Sequence, residues 1–220
     1  MQGSNARRDR SAEREEMVED QLQRRGIRSA AVLDAMRSIP RELFVPESMS
    51  DQAYRDAALP VDCGQTISQP YIVARMTELL DVRPRDRVLE IGTGTGYQTA
   101  ILARLAKHVY TVEWHLQLMT AAVERLEQLG VGNVTARCGD GSVGWPEYAP
   151  YDVVMVTAGA PDVPESLREQ LAVGGRLVIP VGALSNQVLA RVRRTASGFD
   201  RDEQLPCRFV RLVGREGWSD

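Results

Sequence analysis

Histidine is nearly missing from this chain, which carries only His108 and His115, and lysine occurs once, as Lys107. So few imidazoles argue against zinc or triad chemistry built on histidine. Cysteine is scarce too: Cys63, Cys138 and Cys207 are far apart and odd in number. That excludes a disulfide framework and a clustered metal site as the organising feature, and no metal is expected. No run approaches the roughly 18 apolar residues of a membrane span, and the N-terminus lacks a signal peptide's apolar core. Nor is there a surplus of one charge. The net charge of −3 comes from interspersed acids and bases, leaving no basic field for nucleic acid or an anionic membrane. A cytoplasmic protein, monomeric and without nucleic-acid or membrane partners, is the expectation.

What is present is an alternation of strands and helices. The 220 residues suffice for one α/β domain with an appendage. Residues 1–12 are polar and are expected to form a disordered tail. Residues 13–85 form a helical and irregular segment packed on the core, and residues 86–218 form the core itself. Within the N-terminal segment, Met17, Val18 and Leu22 share a helical face, and a second helix runs from Ser29, a plausible N-cap, to Pro40. After Pro70 an amphipathic helix carries Ile72, Val73, Met76, Leu79 and Leu80 on one side. Strands then fall at about 86–92, 108–113, 133–138, 151–158 and 175–181. Helices fall at about 97–106, 115–129 and 163–172, the last stopped by Gly174-Gly175. Val188–Arg193 and Arg208–Leu212 alternate as antiparallel or edge strands do. The fold class is therefore α/β: a doubly wound, mostly parallel central sheet with helices on both faces, an N-terminal helical appendage and antiparallel C-terminal strands.

The most informative stretch is Val88-Leu89-Glu90-Ile91-Gly92-Thr93-Gly94-Thr95-Gly96-Tyr97. An apolar strand closes on a carboxylate, and glycines at alternate positions lead into a helix. Gly92, Gly94 and Gly96 can take positive φ and let a ligand approach the backbone, while the helix start offers free N–H groups. The dinucleotide fingerprint is spaced G-x-G-x-x-G; here it is G-x-G-x-G. This spacing, with Glu90 two residues ahead, resembles the first motif of class I S-adenosylmethionine-dependent methyltransferases. Ligands of open α/β sheets bind outside the carboxyl ends of the strands, where Glu90, Glu113 and Asp140 all fall. Glu113, about 20 residues past the glycines, stands where an acid binds ribose hydroxyls. Asp140, followed by Gly141, is an acceptor for an adenine amino group. Any one of the three acids could instead cap a helix.

Upstream lies Gly64-Gln65-Thr66-Ile67-Ser68-Gln69-Pro70. With the glycine loop, Gly139-Asp140-Gly141 and Gly174-Gly175-Arg176-Leu177-Val178-Ile179-Pro180-Val181-Gly182, it resembles the protein-L-isoaspartate O-methyltransferase family from about residue 16 to 213. The resemblance implies a repair enzyme that moves a methyl group from S-adenosylmethionine to the free carboxylate of L-isoaspartyl residues in damaged proteins and peptides, yielding S-adenosylhomocysteine. The ester then cyclises to a succinimide that reopens in part to aspartate. It also implies Ser68 as the catalytic position, and Ile67, Glu90, Gly92, Gly94, Gly96, Glu113, Asp140 and Gly141 as cofactor contacts.

An aspartyl-type carboxylate, with a pKa of ~3.9, is already the nucleophile at neutral pH and needs no general base. The enzyme must supply alignment and exclude water. A serine hydroxyl can donate to one carboxylate oxygen and leave the other free. Ser68 could equally cap the helix that starts at Pro70. Three positions depart from the family pattern: Asp62-Cys63 before Gly64, Trp114 after Glu113, and Arg211 in place of proline in the closing strand. Arg211 motivates an alternative, a related carboxyl methyltransferase for a dedicated aspartyl peptide or other acid. A second alternative is an adenosyl-binding interaction protein without turnover. Base methylation lacks its motif, since no Asn-Pro-Pro-Tyr occurs.

Overall fold

The computed structural model describes residues 9–219, so residues 1–8 of the expected tail lie outside the described residues. Helix formation starts earlier than expected. α1 (Ser11–Glu16) begins behind Asp9, whose carboxylate accepts from the Ser11 N–H at 2.9 Å, and runs directly into a π-helical turn at Met17–Gln23. That turn buries Met17, Val18 and Leu22 on one side. Ser29 caps α2 (Ala30–Ser38), its hydroxyl accepting from the Val32 N–H at 3.4 Å. The chain to α3 (Pro70–Leu80) is irregular, as its prolines suggest. It contains three 3-10 turns, Arg41–Phe44, Glu47–Gln52 and Asp62–Gly64, and a short antiparallel pair, β1 (Leu59–Pro60) with β2 (Thr66–Ile67).

Seven strands make the central sheet: β3 (Arg87–Ile91), β4 (His108–Glu113), β5 (Val134–Cys138), β6 (Tyr151–Val156), β7 (Leu171–Ala183), β8 (Asn186–Arg194) and β9 (Phe199–Cys207). Their order is β5-β4-β3-β6-β7-β8-β9, parallel from β5 to β7 and antiparallel beyond. The crossovers carry α4 (Tyr97–Leu105), α5 (Leu116–Gln128) and α6 (Glu165–Glu169). Because successive strand residues face opposite ways, Val88 packs with Met76, Leu80 and Leu102 on one face, whereas Leu89 and Val154 lie with Leu167 on the other. The appendage shares a core with the first crossover: Met17, Leu22, Met36 and Phe44 cluster with Tyr97 and Ile101.

Two expectations are corrected. Gly174-Gly175 does not stop a helix; α6 ends at Glu169 and both glycines lie inside β7, where the β6 pairing slips register. Arg208–Leu212 does not form a strand of its own. The last strand is β9, whose first five residues, Phe199-Asp200-Arg201-Asp202-Glu203, are exposed on both faces. Its charges suit an unpaired sheet edge, and they erase the apolar alternation that would have marked it. Residues 210–212 instead clasp Gly159, whose N–H donates to the Val210 carbonyl at 2.7 Å and whose carbonyl accepts from the Leu212 N–H at 2.8 Å.

One buried ion pair ties α3 to the sheet. Arg176 of β7 donates to Asp86 at 2.8 Å, to the Leu80 carbonyl at 2.8 Å and to the Asp81 carbonyl at 2.6 Å. Both side chains are nearly solvent-free. Removing one partner of such a pair strands the other charge, so Asp86→Ala should cost about 3 kcal/mol or more in urea unfolding. A loss below about 1 kcal/mol, the range of surface pairs, would exclude this anchoring role.

Candidate active site

β3 is the switch point of the sheet: it pairs with β4 on one side and β6 on the other, both parallel. A crevice therefore opens beyond its carboxyl end. It is lined by the glycine loop, by Ile67 and Ser68, by Glu113 to His115, by Gly141, and by residues 210–213. The three glycines all have positive φ, at 94°, 53° and 89°, but they serve different purposes. A Cβ at Gly92 would stand 2.4 Å from Thr157 Oγ1, and one at Gly96 would stand 3.3 Å from Ala122 Cβ on α5. Those two allow close packing. Gly94 has nothing within 4 Å of the same position, so its bare backbone faces open space where a ligand can approach.

Glu113 fixes this loop. Its Oε2 accepts from the Gly94 N–H at 2.8 Å and its Oε1 from the His115 N–H at 3.0 Å. A carboxylate has about four acceptor positions, so two remain for the hydroxyls of a ribose. An adenosyl group therefore fits this donor and acceptor set: open backbone at Gly94, a diol acceptor at Glu113, and the exposed face of Trp114 on the same rim.

Glu90 does something else. It does not line the crevice; it is fully buried, with Thr99 and Thr111 hydroxyls donating to Oε2 at 2.6 and 2.7 Å. Since Thr111 gives its proton to Glu90, Thr93 must be the donor in the 2.7 Å Thr93–Thr111 contact. The carboxyl thus anchors the far side of the loop rather than facing a ligand. Asp140 also turns away. Its carboxylate accepts from the Ser142 N–H at 2.8 Å, the Ser142 hydroxyl at 2.7 Å and the Arg215 N–H at 2.9 Å. Burial works to raise its pKa, and the bonds from Arg215 and Ser142 outweigh it, leaving the group below the usual carboxylate range. Its neighbour Gly141 reaches the crevice and lies so close to Ile91 that a Cβ would stand 2.5 Å from Cγ2.

Ser68 is half-buried and lines the crevice. It does not cap α3: the N-cap is Gln69, no side chain caps there, and Pro70 takes the first helical position. Among the described residues its hydroxyl has no partner. Ile67 beside it is buried and pairs with Leu59. Several lining residues carried no warning in the sequence. Thr157 donates to the Gly92 carbonyl at 2.7 Å, and His115 Nε2 lies 3.4 Å from Gln65 Nε2, linking the β2 segment to the β4 end. Position past a strand end was the only signal available for either.

The chain was compared with known proteins. The family model described as protein-L-isoaspartate(D-aspartate) O-methyltransferase matches residues 12–217. A protein-L-isoaspartate O-methyltransferase of Pelobacter propionicus is 57% identical over 213 residues, covering 96% of this chain and 95% of its own. One of Geotalea uraniireducens is 58% identical over 207 residues, covering 93% and 94%. A solved protein-L-isoaspartate O-methyltransferase superposes with a TM-score of 0.84 at 34% identity, over 93% of this chain and 67% of that one. A Plasmodium falciparum structure described as the same type of enzyme, bound to S-adenosyl-L-homocysteine, gives 0.78 at 25% identity, over 91% and 98%.

Glu90 generates a pH prediction. Burial pushes its pKa up to about 8, against the opposing bonds from Thr99 and Thr111. An unfolded glutamate titrates near ~4.3. The folded chain therefore holds an extra proton between those values, and this contribution to stability, full below the lower one, is lost as pH rises through the window. Glu90→Gln keeps an acceptor for both threonines and cannot titrate. Urea unfolding from pH 5 to 9 should show a falling stability in the wild type and a flatter profile in Glu90→Gln; equal slopes would rule out a protonated Glu90.

Proposed function

Because this chain belongs to the protein-L-isoaspartate(D-aspartate) O-methyltransferase family, we propose that it methylates the free carboxylate of L-isoaspartyl residues in damaged proteins and peptides, with Ser68 orienting that carboxylate. When bound, S-adenosylmethionine supplies a methyl group on a sulfonium, an electrophile that needs no metal or further activation. The residues proposed to hold it are Gly94, Glu113 and Gly141, with Ile67 alongside, while Gly92, Gly96, Glu90 and Asp140 support them from behind.

The observation that carries the reading is the free hydroxyl of Ser68 at the crevice, on the approach to α3. The substrate carboxylate is ionised at neutral pH, so the chain has no proton to remove. It has to hold one carboxylate oxygen and leave the other free to attack. The Ser68 hydroxyl donates to the first, and the open N–H groups of the first turn of α3 add a positive field at the same spot. Buried Ile67, Tyr97 and Leu212 around the crevice limit water.

Arg211 supports a second reading of what is accepted. It is exposed, lines the same crevice, and among the described residues is the sole lysine or arginine there; its side chain has no hydrogen-bond or ion-pair partner. A free guanidinium at that position favours acidic residues beside the reacting group. In its stronger form this is the reading of a related enzyme for a dedicated aspartyl peptide. A monomer in a reducing cytoplasm, without nucleic-acid partners, belongs to the same proposal. Free thiols at Cys63, Cys138 and Cys207 and the interspersed surface charge support it.

A methanol-release assay with labelled S-adenosylmethionine on matched isoaspartyl and aspartyl peptides tests the main reading. Methylation of the isoaspartyl peptide alone is expected, and methylation of the aspartyl twin would favour the dedicated-peptide enzyme. Ser68→Ala should lower kcat by about 10- to 100-fold, the scale of losing one orienting contact; an unchanged kcat would exclude the orienting role. Arg211→Pro should raise KM about 5-fold for isoaspartyl peptides with a neighbouring glutamate and leave KM for neutral ones unaltered, as expected for one exposed charge pair. Equal effects on both peptides would remove Arg211 from specificity.

A further inference from the structure

Among the described residues, the most deeply buried guanidinium plays no part in the chemistry so far described. Arg41 has no solvent exposure, and among the described residues no carboxylate lies within 4.0 Å of it. Stripping water from a cation without a counter-ion is a standing cost, and burial accordingly lowers its pKa. An apolar residue would fill the same space without that cost, so the guanidinium must act through its hydrogen bonds.

Those bonds and one ring contact join three segments, two of which line the crevice. Nε donates to the Ala53 carbonyl at 2.7 Å, and Nη2 donates to the Ser68 carbonyl at 2.8 Å. The guanidinium carbon lies 4.9 Å from the ring centroid of Tyr97, the first residue of α4 immediately after Gly96. Nη1 is buried without a hydrogen-bond partner. Among the described residues, the contact with Arg41 is the one hydrogen bond Ser68 makes. Its neighbours are held on either side, Ile67 by its pairing with Leu59 and Gln69 by its side-chain bond to the Asp56 carbonyl at 3.1 Å, but Arg41 is what bonds the Ser68 peptide itself.

We propose that Arg41 is a positioning residue for methyl transfer: seated on Tyr97 at the end of the glycine loop, its planar fork holds the Ser68 carbonyl and so sets the Ser68 hydroxyl relative to the cofactor. The proposal rests on the orienting role given to Ser68 above. It explains why a charged fork occupies an apolar site. Two N–H groups on one rigid edge can serve two carbonyls from different loops while the flat face stacks on a ring, a combination open to arginine and closed to lysine, whose charge is a point on a flexible stem. It also makes the Arg41–Phe44 turn part of the reaction geometry although Arg41 does not line the crevice.

The test is a double-variant cycle on the full chain with an isoaspartyl peptide, using Arg41→Lys, Ser68→Ala and both together. Cooperative melting and binding of S-adenosylhomocysteine come first, with Arg41→Gln as a second variant. Arg41→Lys should lower kcat about 10-fold or more, as a misplaced contact does, with product affinity within about twofold of wild type. In the Ser68→Ala background the same substitution should change kcat by less than about threefold, because the group it positions is gone. A loss of the same size in both backgrounds overturns the proposal and leaves the Ser68 role intact. Wild-type kcat in Arg41→Lys, or loss of cooperative folding or product binding in both Arg41 variants, overturns it as well, assigning Arg41 to no role or to folding alone. Wild-type kcat in Ser68→Ala removes the role of Ser68 and this proposal with it.

Discussion

Glu113 accepts from the backbone N–H groups of Gly94 and His115, and through those two contacts the carboxyl ends of neighbouring parallel strands are held as one surface. Backbone N–H groups that leave a strand lose their ladder partners and need others. Here a single carboxylate supplies partners for both exits, β3 into the glycine loop and β4 into α5. The loop can then run with positive φ at three glycines and still be rigid. Behind it, the buried line Thr93–Thr111–Glu90–Thr99 braces the loop through Glu90 Oε2, leaving Oε1 without a partner. The front of the loop can stay open because its back is held. A mostly parallel sheet makes this possible, since it brings all its strand ends to one edge.

The irregular segments around the crevice are built on another principle. No regular pairing holds residues 41–58 or 208–213, and buried polar side chains take its place. Arg41 bonds the carbonyls of Ala53 and Ser68. Gln187 of β8, almost solvent-free, accepts from the Phe209 N–H at 2.7 Å and so fixes the approach to Arg211. Asp140 and Ser142 bind the backbone N–H groups of Arg215 and Glu216 at 2.9 Å, and Trp218 Nε1 donates to the Gly159 carbonyl at 3.0 Å. Each is a splint from the regular core or a buried turn to an irregular strap. This explains why Asp140 turns from the crevice: its bond to the Arg215 N–H, with that of Ser142 to the Glu216 N–H, holds the strap whose residues 210–213 form the opposite wall.

These two constructions account for what could be read in advance. The crossover pattern, the glycine loop and the placement of Glu113 were legible because they rest on local spacing, apolar period and strand ends. Glu90 was legible as an acid at a strand end but not as a buried one, because burial there depends on Thr99 and Thr111 arriving from α4 and β4. Asp140 read naturally as an adenine acceptor; nothing local to Gly139-Asp140-Gly141 reveals a bond to residue 215. β9 escaped notice because an exposed edge strand pairs through its backbone and Arg191–Asp202, leaving no alternation. Arg41 gave no signal at all. An arginine followed by Glu42 looks solvated even beside Leu43-Phe44-Val45, and only the meeting of three distant segments makes it the centre of a buried cluster.

The division has a consequence for how such a site can vary. The glycine loop is tied to the strand ends through Glu113, so a substitution there disturbs the sheet and the loop together. The strap at 208–213 hangs on a few side-chain bonds, and its exposed side chains are free of them. Arg211 is such a position: its backbone is fixed by the bridge to Gly159 and by buried Leu212, while its side chain is unconstrained. Charge at the crevice can therefore change without moving the serine or the glycine loop. On the proposed roles of Arg211 and Ser68, recognition of the sequence around the reacting carboxylate and alignment of that carboxylate would fall to separate parts of the chain, the first on the strap fixed at Gly159 and the second on the segment that Arg41 holds.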